Sequence, residues 1–331
     1  MTTLLLSHPA CLAHITPPGH PERVGRIKAV TKILGHSHFA GLKRAEAPLG
    51  SDDDIARAHA DDYIQTIRAA APDEGFSQID VDTVMSPGTL EAALRGVGAG
   101  IAGVDAVFTR EADNAFAAMR PPGPHAEHAR AMGFCFFNNA AIAAHYARAR
   151  YDAERIAVVD FDVHHGNGTQ DIFWNDRDLF YGSTHQMPLY PGTGAQDETG
   201  AAGNIVNAPL RAGDGSRAFR EAMRSIILPA LDAFTPDLLI ISAGFDAHRS
   251  DPLGGLELTE EDFVWATLYL MELADNHAGG RVVSFLEGGY DLAALAASTG
   301  VHVQALMRGT GDLAPLTREQ DETATEDEDE D

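Results

Sequence analysis

Five short apolar runs punctuate the chain, at Asn114–Met119, Ile156–Phe161, Leu179–Ser183, Leu238–Ser242 and Val282–Leu286, each with the length of a buried strand. Around them lie stretches in which apolar residues recur with helical spacing: Thr89–Phe108, Asn138–Tyr151, Ser216–Phe234, Thr259–Asn276 and Leu292–Met307. Pro229 falls inside the third of these and predicts a kink or interruption, because proline removes an N–H and crowds the preceding turn. Such alternation predicts an α/β fold, a mostly parallel multi-stranded sheet with helices on both faces. No internal repeat or interdomain linker breaks the pattern. The chain therefore reads as one domain over residues 1–315, followed by an acidic segment, 316–331, with the composition of a disordered tail.

The polar residues cluster where the apolar runs stop. Met119 is followed by Arg120-Pro121-Pro122-Gly123-Pro124-His125, Phe161 by Asp162 and His164, Ser242 by Gly244-Phe245-Asp246, and Leu286 by Glu287-Gly288-Gly289-Tyr290. Open α/β sheets build their sites at the carboxyl ends of the strands, so these loops are predicted to form a single site. The densest is AVVDFDVHHGNGTQ, residues 157–170. In a pleated strand Asp160, Asp162 and His164 share one face, while Phe161, Val163 and His165 share the other. A bare Asp-x-Asp would be read as a capped strand end. Two histidines and Gly166-Asn167-Gly168 tip the reading toward a metal site, since charges at the end of a buried strand need a partner.

Charge narrows the partners. The net charge of −25 argues against free nucleic acid or an anionic membrane as the primary partner, because both require a positive field. Nine of the thirteen residues from Glu319 to Asp331 are acidic, a block expected to stay solvated. The only cysteines are Cys11 and Cys135, with no CxxC, which predicts no disulfide framework and fits a reducing cytoplasm. The amino terminus has no basic region and too short an apolar run for a signal peptide, and no stretch approaches a membrane span. Nothing in the sequence specifies an oligomeric state.

Six ordered motifs stand between residues 120 and 291, within a likeness that extends from His8 to about Met307: RPPG-P-HAE at 120–127, GFCFFNN at 133–139, DFDVHHGNGTQ at 160–170, STHQMPLYPGTG at 183–194, SAGFDAHRSDPLGG at 242–255 and LEGGYD at 286–291. Together they resemble the zinc-dependent histone deacetylase family, on the arginase/deacetylase fold, and specifically its bacterial, class II-like amidohydrolase branch. The resemblance implies Asp162, His164 and Asp246 as ligands of a catalytic Zn²⁺, a donor set that also suits Fe²⁺ or Co²⁺. It further implies a structural K⁺ near Asp160, Asp162, His164, Ser183 and Thr184. His125 would be the general base and then acid, oriented by Asn167, and Tyr290 would stabilise the oxyanion. Gly133, Phe134 and Tyr190 would line a channel for an acyl-lysine chain, and Arg23 would serve acetate exit. Leu253 stands where polyamine deacetylases of the family carry a glutamate, which favours an acyl-lysine or neutral amide over an acetylpolyamine.

One position departs from the pattern. The family usually has two adjacent histidines after RPPG, the first paired with the aspartate equivalent to Asp160, and here the first is Pro124. Proline can neither hydrogen-bond through its side chain nor carry charge. The next imidazole along the chain is His128. Three readings stay open at this stage: an acyl-lysine amidohydrolase acting on a protein or peptide, a noncatalytic acyl-lysine or metal-binding descendant, and a hydrolase of acetylpolyamines or other small amides. An arginase-like reaction fits less well, because it would need ligands for two metals.

Overall fold

The computed structural model describes residues 1–309; the acidic segment and the last residues of the expected domain lie outside the described residues. Among the described residues there are ten strands: β1 (Thr3–Ser7), β2 (Lys43–Glu46), β3 (Ser77–Gln78), β4 (Val84–Met85), β5 (Asn114–Ala117), β6 (Ile156–Asp160), β7 (Leu179–Gln186), β8 (Ile205–Leu210), β9 (Leu238–Ala243) and β10 (Val282–Leu286). Eight form one sheet in the order β2-β1-β5-β10-β9-β6-β7-β8, every neighbouring pair parallel, while β3 and β4 make a small antiparallel ribbon.

Helices flank this sheet in two packed layers. Thr89–Phe108 packs on Asn139–Tyr151, and Glu260–His277 packs on Leu292–Arg308, which in turn packs on Val24–Leu34. Central strands β6, β9 and β10 are buried at every residue, which is why they read as unbroken apolar runs rather than alternating ones. The helix starts carry their own signals: Asn138 accepts from the N–H of Ala141, Asp291 accepts from Ala293 and Ala294, and Thr259 forms a capping box with Asp262. The interruption expected at Pro229 takes the form of a π turn, Met223–Ile227, between helices Ser216–Ala222 and Leu228–Phe234. Pro229 has no N–H for the carbonyl one turn back, and the wider turn absorbs the misfit. Among the described residues no helix is long and apolar enough to cross a membrane.

The four central neighbours β5, β10, β9 and β6 bring their carboxyl ends side by side. The register aligns Asp160 with Ser242 on β9 and with Ser183 on β7. The loops that follow these strands therefore open onto one place.

Candidate metal and acyl-transfer site

Strand β6 ends at Asp160, so the alternation expected across Asp160, Asp162 and His164 is not carried by a pleat. Side chains extend it instead. Asp160 Oδ1 accepts the N–H of Asp162 at 3.0 Å, and Asp162 Oδ1 accepts the N–H of His164 at 2.9 Å. Asp162 and His164 meet Asp246 from the loop that follows β9, while Asp160 stays at the end of β6. One donor atom from each of Asp162, His164 and Asp246 lies within 4.8 Å of the others, and all three residues are buried. His164 Nδ1 stands 3.0 Å from Asp246 and 3.3 Å from Asp162.

The surrounding backbone is held close. A Cβ at Gly244 would collide with the Asp162 carboxylate, and one at Gly288 with that of Asp246, so both positions require glycine for close approach. Gly288 N–H donates to Asp162 Oδ2 at 2.9 Å and Val163 N–H to Asp246 Oδ1 at 2.8 Å. Burial and the neighbouring Asp162 raise the Asp246 carboxyl to about 7. Burial opposes charge on His164 as well, yet the two carboxylates overcome it and pull the imidazole up to about 10. Two carboxylates against one imidazole form a pocket that favours positive charge. With two carboxylates and an imidazole nitrogen converging within 4.8 Å it fits a divalent cation.

A channel of about 250 Å³ leads to this cluster, lined by Asp82, His125, Gly133, Phe134, His164, Leu189, Tyr190, Leu253 and Tyr290. Phe134 meets Tyr290 edge-on with centroids 6.0 Å apart, and Tyr190 meets His125 at 5.4 Å. Gly133 has φ 56°, and a Cβ there would press on the His125 ring. His125 Nδ1 lies 2.9 Å from Asn167 Oδ1. Burial, then the nearby His164, lowers the His125 pKa below its ordinary value and so favours the neutral imidazole. Burial keeps the Tyr290 hydroxyl protonated by raising its pKa, despite the opposing Arg26 guanidinium.

Arg23 is the residue the structure does not bring in. It is exposed at the N-cap of helix Val24–Leu34, whereas Arg26, nearly one turn on, is buried beneath Tyr290 with its guanidinium carbon 4.9 Å from the ring centroid. Arg26 donates to the carbonyl of Gly289 at 2.6 Å and to that of Glu287, which fixes the Tyr290 loop. The inner arginine is thus Arg26, because the helix turns position 26 inward and position 23 outward. The i,i+4 pair with Glu22 was the signal in the sequence. His128 is also outside the site: it is exposed, and its Nδ1 lies 2.8 Å from the Ala58 carbonyl.

Several contributing residues carried no sequence signal of their own. Asp82 accepts the N–H of Gly133 at 3.0 Å from a loop beside β4. Asp251 accepts the N–H groups of Tyr290 (2.6 Å), Asp291 (3.2 Å) and Leu253 (3.0 Å), tying the channel mouth to the tyrosine loop. Tyr181 on β7 donates its hydroxyl to Asp160 Oδ2 at 2.9 Å and accepts the N–H of Gly166 at 2.9 Å. A Cβ at Gly166 would collide with that hydroxyl and with Asp160 and press on Pro124, so the glycine is where these three segments come close. The Pro124 carbonyl accepts from Gly168 and Thr169 at the start of helix Asn167–Phe173.

Comparison with known proteins places the chain among deacetylases. The family model described as histone deacetylase domain matches residues 20–306. The histone deacetylase-like amidohydrolase of Pseudomonas aeruginosa is 41% identical over 289 residues, 84% of this chain and 75% of its own length. A probable deacetylase of Archaeoglobus fulgidus is 36% identical over 315 residues, covering 93% and 87% of the two chains. The crystal structure of the HDA15 HD domain superimposes with a TM-score of 0.87 at 35% identity, covering 93% of this chain and 89% of that one.

Proposed function

The chain belongs to the histone deacetylase family of hydrolases, and from that premise we propose that it removes an acetyl or other acyl group from an N-acyl amine, with acyl-lysine in a protein or peptide as the substrate. The observation that carries this reading is the narrow channel, with Phe134, Tyr190 and Leu253 in its walls, running to the Asp162–His164–Asp246 cluster beside His125 and Tyr290. Aromatic walls suit a methylene chain and leave its amide to the polar end.

Asp162, His164 and Asp246 would hold Zn²⁺, with Fe²⁺ or Co²⁺ compatible with the same donors. A divalent ion in that position supplies Lewis acidity to the scissile carbonyl and favours a nucleophilic water near neutral pH. His125 accepts the proton of the attacking water as its oxygen bonds to the acyl carbon. Tyr290 donates its hydroxyl to the oxyanion that develops. As the carbon–nitrogen bond breaks, His125 returns the proton to the departing amine, leaving carboxylate and free amine. A K⁺ near Asp160, Asp162, His164, Ser183 and Thr184 would brace the floor; in support, the Thr184 hydroxyl is buried without a partner among the described residues, one position beyond Ser183.

Pro124 favours a second reading, a noncatalytic acyl-lysine binder. Against it stands the Tyr181 hydroxyl, which leaves Asp160 partnered without an imidazole at position 124. The two are separated by turnover of a fluorogenic acetyl-lysine peptide and of N-acetylputrescine by the metal-loaded protein. Wild type should act on the peptide, His125→Ala should lose about 10² to 10⁴ of the rate with metal retained, and Pro124→His should change it far less. A wild type inert on both substrates beside an active Pro124→His would establish the binder. Preference for N-acetylputrescine would replace acyl-lysine with a small amide.

A further inference from the structure

The hydrogen bonds of His125 do not stop at Asn167. The Asn167 amide nitrogen donates to Glu127 Oε1 at 2.8 Å, and its oxygen lies 2.9 Å from His125 Nδ1. An amide is polar in a fixed sense, with donors on its nitrogen and an acceptor on its oxygen, while a carboxylate only accepts. Glu127 therefore decides which way Asn167 faces. With the amide nitrogen committed to the carboxylate, only oxygen can meet His125, and that oxygen requires a hydrogen on Nδ1. The proton is placed on the far side of the ring from Nε2, whose lone pair is left free.

Glu127 is itself held. Its N–H donates to the Arg130 carbonyl at 2.9 Å, and its own carbonyl lies 3.0 Å from His59 Nδ1. It is only half-buried, and the nearby Arg130 guanidinium pairs with Asp80 instead, at 3.0 Å. The second contact of the Asn167 nitrogen, Met132 Sδ at 3.3 Å, is too weak an acceptor to orient the amide against a competing arrangement.

We propose that Glu127 is a positioning residue that acts through Asn167 to hold His125 as the Nδ1–H tautomer, with Nε2 ready to accept a proton. The inference rests on the reading of His125 as the proton-transfer group. It makes residues 127 and 167 a matched pair. A donor-capable glutamine at 127 would serve an aspartate at 167, whose carboxylate could take the Nδ1–H directly. Glutamate at 127 would then oppose that aspartate, placing like charges on atoms now 2.8 Å apart.

The test uses the full-length, zinc-loaded protein and four forms: wild type, Glu127→Gln, Asn167→Asp and the double variant. Nitrogen-15 NMR of the histidine rings reads the tautomer directly, and steady-state kinetics on an acetyl-lysine peptide reads kcat and KM separately. Glu127→Gln should yield a mixture of tautomers and lower kcat by about 10-fold at unchanged KM, the scale seen when outer-sphere orienting partners are removed. Asn167→Asp alone should be the poorest, and adding Glu127→Gln should restore a single Nδ1–H tautomer and raise kcat by about 10-fold over that single variant. Two outcomes would overturn the proposal: a pure Nδ1–H tautomer with wild-type kcat in Glu127→Gln, or a rate for Asn167→Asp that ignores residue 127. Should His125→Ala keep full activity, the proton-transfer reading fails separately, while the ring spectra still decide whether Glu127 sets the tautomer.

Discussion

The loop Glu287–Tyr290 runs between two buried ionic clusters that settle their charge in opposite ways. On one side its carbonyls at Glu287 and Gly289 accept from Arg26; on the other the N–H of Gly288 donates to Asp162. The first cluster completes itself. Glu22, fully buried, accepts from Arg26 (3.0 Å) and Arg120 (2.7 Å) and lies 3.2 Å from His14, and further guanidinium N–H groups of Arg120 go to the carbonyls of Cys11 and His14. Burial alone would raise the Glu22 pKa, but Arg120 and His14 hold it well below the usual carboxylate range. The second cluster sets Asp162 and Asp246 against a single imidazole, with Asp160 beneath, pushed well above its ordinary range by burial and by Asp162. A buried cluster whose one carboxylate is held by two guanidinium groups, with their remaining N–H groups on backbone carbonyls, serves the fold, whereas one with surplus carboxylate suits a cation.

The largest effect is expected at the carboxylate-rich cluster. Asp246→Ala should reduce the metal content after dialysis from about one ion per chain to none and abolish turnover, since two ligands cannot keep a catalytic ion. Circular dichroism should still report a folded chain. Full metal content in this variant would end the ligand assignment.

At the self-paired cluster the effect should fall on stability instead. Glu22→Gln leaves two buried guanidinium groups without their counter-charge and should cost about 3 to 5 kcal/mol in urea unfolding. The pH dependence follows from the sign of the shift. A carboxyl with a depressed folded-state pKa contributes its full stability above the unfolded value and loses it as pH falls through the folded one. The stability gap between wild type and Glu22→Gln should therefore be widest near neutrality and close in acid. A gap independent of pH would mean that lost packing, not lost charge, is what the variant reports.

Tyr290 stands between the two clusters, its ring over Arg26 and its side chain lining the channel beside His164. Tyr290→Phe keeps the ring and removes the hydroxyl, so kcat should drop by about 10² to 10³ while metal content and unfolding midpoint stay unchanged. An unaltered kcat would make Tyr290 a structural anchor. The smallest effect is expected at the mouth, where Leu253 is half-buried. Leu253→Glu should shift the ratio of kcat/KM for N-acetylputrescine over the acetyl-lysine peptide upward by about 5-fold, the scale of one exposed charge pair. No change in that ratio would remove Leu253 from substrate choice.

Much of this architecture was legible because the central strands are buried on both faces. Val282–Leu286 and Thr89–Phe108 have the ends their apolar runs predict. The edges were not legible. Strand β2 is Lys43–Glu46 with all four residues exposed, and β8 holds Asn207 and Pro209 at the opposite edge. Strand β2 buries little and so leaves little hydrophobic pattern to read, while β8 is largely buried but its apolar run is interrupted by Asn207 and Pro209. Strand β1 was missed for another reason: its Leu4-Leu5-Leu6 run sits at the amino terminus, away from the strand–helix alternation that identified the others.

The site divides along a similar line. Residues that follow an apolar run at a strand end, such as Asp162, His164, Asp246 and Tyr290, can be picked out along the chain, since a polar cluster after a buried strand is a local signal. Arg26, Tyr181, Asp251 and Glu127 cannot, because their meaning lies in what they meet: the Gly289 carbonyl, Asp160, the Tyr290 amide and Asn167. Arg23 and Arg26 differ only by their place on one helical turn, and only the docked helix decides which guanidinium is buried. Local periodicity and strand-end chemistry are written into the order of the residues, but the direction of a hydrogen bond and the pairing of a buried charge exist only once distant segments share a few ångströms of space.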